Sequence, residues 1–266
     1  MNKLTKGLYT ALSILFFTAQ AAAQVYAPNI TDAKGKKQGY WIKLDENKKK
    51  IYEGSFVNDN PSGKFTYYYE TGTTKAVSNF SENGKVSHTQ LFSFEGKLAA
   101  VGKYIDQKKD SVWKYYNNDG KLLSEDTYLN GEKNGSCKVY YNSGPVSEDK
   151  TWLNGVCEGP SIKYFENGEI KFKGQNVKNK IEGKAIFNYP SGKVYAEGNY
   201  INDYKEGKWN YYKEDGTLQK KMEYKKGREQ GKTESFMTKE EEEKAKKKYE
   251  GSDKKDMDMQ GDDIPK

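Results

Sequence analysis

The sequence predicts an all-β protein, an elongated single-layer antiparallel meander of tandem 24-residue β-hairpin repeats. Three observations carry this. Measured from Gly39, one frame returns at Gly63, Ser87, Ser111, Gly135, Gly159, Gly183, Gly207 and Gly231 without insertion or deletion. Self-similarity at such a fixed period marks an array whose units pack on their neighbours. The tenth position of the unit is Gly72, Gly96, Gly120, Gly144, Gly168, Gly192 or Gly216, often after Asp, Asn or Ser. Such a pair between apolar runs signals a hairpin. Apolar residues then recur at alternate positions on both sides of the turn, as a half-buried strand requires.

Taken in order, residues 1–23 read as a signal peptide. Lys3 and Lys6 precede an apolar run from Leu8 to Ala19, and Ala21-Ala22-Ala23 supplies a cleavage site. The run is too short to span a bilayer, which needs about 20 residues. The mature chain is therefore expected outside the cytoplasm: periplasmic, associated with the cell envelope, or secreted. Residues 24–38 form a polar lead-in. The array proper covers 39–237 in nine frames, the last incomplete. Its first frame is degenerate, with Lys48 in place of the turn glycine, as suits a terminal unit with one side facing solvent.

Within each unit, a type I′ turn at positions 9 and 10 would make cross-strand partners sum to 19, putting positions 3, 5, 7, 12, 14, 16 and 18 on one face. That face is apolar. Position 3 holds Trp41, Phe65, Trp113 and Trp209, position 5 holds Tyr67, Tyr115 and Tyr211, position 12 is aliphatic from Leu98 to Leu218, and position 18 holds rings such as Phe56, Trp152 and Tyr224. The same register sets the position 18 ring opposite the leading Gly or Ser, where it would cover a residue lacking a side chain. The other face is polar except for Tyr68 and its equivalents at position 6 and an aliphatic line at position 19. Asn130-Gly131 and Asn154-Gly155 read as good turns between units, and Asn58-Asp59 and Asn202-Asp203 as weaker ones. About sixteen strands at ~4.8 Å give a ribbon roughly 75–80 Å long, too thin for a two-layer core. From Thr238 onward, Glu240 to Glu243 followed by Lys244 to Lys248 support a short helix. The tail after Gly251 is expected to be flexible.

Composition fits a single layer. Hydrophobic residues make up 34% of the 266, yet aromatics reach 14% with 22 Tyr, because amphipathic rings can pack on one side and keep a polar tip wet. The net charge of +7 does not imply nucleic acid: lysines recur with Glu53, Glu125 and Glu197, and export removes that polymer. Attraction to an anionic lipid surface or an envelope polymer stays open.

With one histidine, His88 on the polar face, and two cysteines, neither a triad nor an ordinary zinc site can be assembled. No catalytic residue, metal or cofactor is expected, and the chain does not read as an enzyme. Cys137 and Cys157 map to the same end of one hairpin, which allows a disulfide in an exported chain. An intervening strand argues against it. The stretch with functional content is the aromatic face, for a one-layer ribbon has nothing of its own to cover it. Trp41, Phe65, Tyr67, Trp113, Tyr115, Trp152, Trp209 and Tyr211 are the candidate contact residues.

Glycine-led units such as Gly207 to Gly216 (GKWNYYKEDG), with paired aromatics, an x-Gly turn and a closing Tyr128-Leu129-Asn130-Gly131, resemble MORN repeats. The likeness is greater to the bacterial MORN-variant repeats of exported proteins often labelled antitoxin components of toxin–antitoxin systems. It covers about three-quarters of the chain, residues 39–237. Ser87, Ser111, Asn176 and Asn188 depart from the pattern. The resemblance implies tandem hairpins serving as protein-interaction or membrane-associating scaffolds, with no catalytic residues to carry over. The leading expectation is a non-catalytic exported scaffold that binds a protein partner, or a second copy as a homodimer, along its aromatic face. A cell-envelope glycan-binding module and an antitoxin-like inhibitor of an exported toxin are the alternatives.

Overall fold

A computed structural model describes residues 28–236, 238–240 and 243. The expected signal peptide, most of the expected helix over 240–248, and the tail lie outside the described residues. The first nine strands are β1 (Ile30–Thr31), β2 (Lys37–Leu44), β3 (Lys50–Val57), β4 (Asn60–Tyr68), β5 (Thr74–Ser81), β6 (Val86–Phe92), β7 (Leu98–Ile105), β8 (Lys108–Tyr116) and β9 (Leu122–Leu129). Nine more follow: β10 (Glu132–Tyr140), β11 (Val146–Leu153), β12 (Val156–Tyr164), β13 (Ile170–Val177), β14 (Lys180–Asn188), β15 (Val194–Ile201), β16 (Tyr204–Tyr212), β17 (Leu218–Lys225) and β18 (Arg228–Ser235). Each pairs antiparallel with the next in the chain, from β1–β2 to β17–β18, in one open meander.

The expected register holds along most of each hairpin. Gly63 faces Phe80, Phe65 faces Ser78 and Tyr67 faces Ala76, and Gly207 faces Tyr224 in the same way. It fails at the turn. Tyr68 faces Thr74, one residue out of step, and Gly72 N–H donates to Tyr69 O while Tyr69 N–H donates to Thr73 O. Only the glycine is left-handed there, with φ of 86°. This is a type I turn closed by a glycine bulge, not a type I′ turn. Position 12 therefore pairs with position 6 and belongs to the outer face, which corrects its expected place.

The type I′ turns are the ones between units. Asn58 and Asp59 both take positive φ, as do Asn130 and Gly131, Asn154 and Gly155, Lys178 and Asn179, and Asn202 and Asp203. The two pairs read as weaker in sequence, Asn58-Asp59 and Asn202-Asp203, form the same turn, since Asn and Asp tolerate the left-handed region. Neighbouring turns brace one another. Gly131 N–H donates to Lys109 O, Asp203 N–H to Ile181 O, and the Glu182 carboxylate accepts from Asn202 N–H at 2.8 Å. At the opposite edge the hydroxyls of Tyr69, Tyr141 and Tyr189 donate to the carbonyls of Phe92, Tyr164 and Tyr212 in the next unit.

The leading residue of most units sits at a second bulge, where three residues of the incoming strand oppose one. Gly63, Lys64 and Phe65 face Gly54 between the pairs Ser55–Ser62 and Glu53–Thr66. The bulge demands positive φ, and Gly39, Gly63, Gly183 and Gly207 supply it with nothing above them; the expected ring cover is not what these glycines are for. Ser111 adopts φ of 58° without being glycine. Ser87 avoids the demand. The β5–β6 ladder runs without a register shift, and the two residues saved lengthen the turn, which becomes a short 3-10 turn over Glu82–Gly84. The 24-residue period survives because the turn absorbs what the bulge gives up. Ser111→Gly is accordingly expected to raise unfolding free energy by about 1 kcal/mol, the cost of a left-handed side-chain-bearing residue. Ser87→Gly should lower it by a similar amount, through added chain entropy. Paired urea titrations of the two variants check this.

Candidate functional site

A thin sheet must fill its inner face from its own side chains, and the repeat does so by exchanging volume between neighbouring units. A β-carbon placed on Gly54 would lie 2.4 Å from the Phe65 ring, on Gly102 2.1 Å from Trp113, and on Gly198 2.3 Å from Trp209. The position 3 rings of Phe65, Trp113 and Trp209 thus lie on the position 16 glycine of the preceding unit. Gly174 is followed by Ala185 at position 3, and Phe172 from position 14 takes the ring's place over it. Where position 16 carries a side chain, position 3 is small: Ser78 with Thr89, Asp126 with Cys137, Lys150 with Ser161. Ser78 and Thr89 join hydroxyls at 2.8 Å.

Lysines at position 23 close over the rings. The Lys109 ammonium lies 4.6 Å from the centre of Trp113 and 5.1 Å from those of Tyr115 and Tyr128. Lys205 repeats this over Trp209, Tyr211 and Tyr224 at 4.8, 5.8 and 5.2 Å. Lys37 sits over Trp41 and Phe56, and Lys133 over Trp152. A cation over a ring face is attracted by its quadrupole, by ~0.5–2 kcal/mol depending on desolvation. The indole N–H groups are satisfied by backbone, Trp113 donating to Lys103 O at 3.0 Å and Trp209 to Asn199 O at 3.2 Å.

In the middle of the inner face, across β8, β9 and β10, the cage grows into a polar network. Lys109 donates to the Tyr115 hydroxyl at 2.7 Å, and that hydroxyl pairs with Tyr128 at 3.1 Å. Tyr128 reaches the Asp126 carboxylate, which holds Lys133 at 3.0 Å. Burial pushes the Lys109 pKa down, partly opposed by Asp126, and pushes Tyr115 up, helped by the Tyr128 bond. Beyond it, Glu148 binds Lys150 at 3.0 Å and Lys163 at 3.7 Å. At the equivalent C-terminal cage Lys205, Tyr211 and Tyr224 repeat the chain of hydroxyls, and Met222 stands where Asp126 does, so that cage lacks the carboxylate. This centre was not anticipated. Its signal was present, for Asp126 and Lys150 interrupt the glycines at position 16.

The candidate contact residues divide in two. Trp113 and Trp209 are 0% exposed, Phe65 2% and Tyr211 5%; these four are the core of the ribbon, because ring, glycine and lysine seal one another. Trp41, Tyr67, Tyr115 and Trp152 are half-buried and keep an edge in solvent. Cys137 and Cys157 are free and buried. They stand on β10 and β12 with β11 between, and strands two apart lie roughly 9.6 Å from each other, beyond disulfide reach. Burial raises the Cys137 thiol to about 11 and raises Cys157 as well, so neither is a ready nucleophile. Asn176 stands where other units have a position 18 ring; it is buried, and its amide nitrogen finds no acceptor.

The outer face carries a different pattern. Glu53 accepts from Lys50 at 2.7 Å, Tyr68 at 2.6 Å and Tyr40 at 2.8 Å. These donors, Lys50 foremost, hold its pKa near about 2 against the ordinary 4.5. Glu125 is lowered by Lys114 and Tyr140, and Glu197 by Lys184 and Tyr212. A carboxyl lowered by folding stabilises the native state above its unfolded value, and that contribution disappears as pH falls through the folded one. Stability is therefore expected to drop from pH 4.5 toward 2, and Glu53→Gln should flatten that stretch of a pH-dependent urea series. Beside the type I′ turns, Val57, Leu129, Leu153, Val177 and Ile201 form an aliphatic line 42–53% exposed.

A family model described as MORN repeat variant matches residues 109–130, 158–179, 181–202 and 205–226. Each match holds one hairpin: β8–β9, β12–β13, β14–β15 and β16–β17. No curated protein matches the chain. Among solved structures it is similar to TarM, at 19% identity over 36% of this chain and 20% of that one, with a TM-score of 0.27. A point mutant of S. aureus TarM in complex with fondaparinux, alpha-GlcNAc-glycerol and UDP is similar at 18% identity over 43% and 20%, with a TM-score of 0.21. The chain spans about a fifth of the length of these proteins, and likeness at such scores carries nothing about function.

Proposed function

Because four of its hairpins are MORN-variant repeats, we propose that this chain is a non-catalytic scaffold holding a protein partner along the inner face of its ribbon. The supporting observation is the makeup of that face. Half-buried edges of Trp41, Tyr67, Tyr115 and Trp152 alternate with lysine heads, on a sheet with no second layer among the described residues. Rings with one apolar body and one wet edge are what protein interfaces enrich. The core rings Trp113 and Trp209 then serve the site by fixing the lysines. Export through residues 1–23 to the periplasm, envelope or medium belongs to the same proposal, and an exported toxin is one partner it accommodates.

One feature favours a glycan ligand as a second reading. Phe94 is 68% exposed and stacks on Tyr69 at 3.9 Å, a platform on which a sugar ring can lie. Sedimentation with envelope polysaccharide, comparing Phe94→Ala with the parent chain, tests it. The first reading is tested by crosslinking in the native cell envelope followed by mass spectrometry. Crosslinks from Lys109 and Lys133 to one protein are the expected result. Crosslinks confined to Lys178 and Lys180, beside the outer aliphatic line, would contradict it.

A further inference from the structure

The inner face is cationic as well as aromatic, and its cations are placed by the fold. Lys37, Lys109, Lys133 and Lys205 stand at position 23, over the rings. Lys150 and Lys163 lie in the middle, aligned with inner-face residues Cys137 and Glu148. The inner-face carboxylates from β2 to β18 are Asp126, Glu148 and, at the C-terminal end, Glu229. Acids are thus outnumbered. Asp126 shows what these lysines accept, its carboxylate lying 3.0 Å from Lys133 and its charge also reaching Lys109. Two ammonium groups and two tyrosine hydroxyls share that one acid. On the outer face, too, Glu53, Glu125 and Glu197 each pair with a lysine.

Resting on the scaffold reading above, we infer that the partner presents an acidic extended segment, which runs along the ribbon across its strands with carboxylates meeting the inner-face lysines. Lys109 and Lys133 are equivalent residues one unit apart, two strands or roughly 9.6 Å. An extended chain in the polyproline II conformation rises about 3.1 Å per residue with three residues per turn, so carboxylates three residues apart lie on one side of it and match that spacing. The half-buried setting strengthens the pairing, because a partly desolvated ammonium gains more from an added carboxylate than one in bulk water. Ring edges beside each lysine give the segment's small apolar residues a surface to cover.

The probe is a dye-labelled peptide of eight Asp-Gly-Ser units, with a Lys-Gly-Ser peptide as its opposite. Fluorescence anisotropy with the full mature chain should show binding of the acidic peptide alone, weakening at least tenfold from 0.05 to 0.5 M salt. Lys109→Gln with Lys133→Gln should weaken it at least tenfold. Lys150→Gln with Lys163→Gln, a pair away from the tryptophan cages, should also weaken it, which separates charge loss from unfolding. Lys64→Gln with Lys208→Gln, both exposed on the outer face, should change it less than twofold. No binding, or equal loss in the outer-face variant, overturns the inference. A partner crosslinked to Lys109 and Lys133 through a neutral or basic segment would overturn it while leaving the scaffold reading in place. The absence of any crosslinked protein would count against the scaffold reading itself.

Discussion

Trp209→Ala is expected to lower unfolding free energy by about 3–5 kcal/mol, the usual cost of truncating a fully buried large ring. The indole is 0% exposed and meets Tyr200 edge-on at 5.3 Å, Tyr224 at 6.2 Å and Phe187 at 6.0 Å. Its loss removes the floor under Lys205 and opens the cluster of Phe172, Ala185, Ala196 and Tyr211. In a repeat array each unit is held by its own folding and by the interface to its neighbour, so the damage should centre on β15 to β17. Hydrogen exchange is expected to rise there first, and thermal unfolding should begin earlier. A Trp209→Ala chain with unchanged stability would mean the ring is a surface contact, as the sequence by itself suggested.

That contrast shows what was legible and why the rest was not. The period, the hairpins and the register from position 1 to position 5 could be read, because glycines and rings recur on a strict count and a two-residue periodicity survives in every strand. Which turn was type I′ could not. Gly72 and its equivalents look like the ideal turn residue, yet Asn58-Asp59 satisfies the same backbone demand, and only the register of both ladders decides. The burial of Trp113 was hidden for a related reason. A ring over a glycine is a contact between residues in adjacent units, Gly102 and Trp113, and a pattern read within one unit does not see it. The polar centre at Asp126 and Lys133 is hidden in a similar way, since its two residues belong to one charge pair formed across adjacent hairpin strands. Of the rings that sequence puts on the inner face, Trp41, Tyr67, Tyr115 and Trp152 are half-buried and keep an edge in solvent.

Gly198→Ala is expected to cost about 1–3 kcal/mol, the range for overpacking a filled core. The φ of Gly198 is not left-handed, so alanine suits the backbone, and its lower chain entropy would otherwise favour folding. The penalty comes from space alone. A methyl there would lie 2.3 Å from the Trp209 ring carbons and 2.5 Å from its nitrogen, and the ring cannot retreat because Tyr200, Tyr224 and Lys205 hold its far side. Gly54→Ala, beneath Phe65, should show the same sign. Gly207→Ala should also destabilise, through its left-handed φ of 66° and not through contact.

The measurement that bears most directly on the ring-over-glycine packing is a double-mutant cycle between positions 198 and 209, read by urea unfolding. With Trp209 in place, Gly198→Ala should be costly; in a Trp209→Ala background the same change should cost nothing or add a few tenths of a kcal/mol, since the methyl then enters empty space. Equal costs in the two backgrounds would contradict the account.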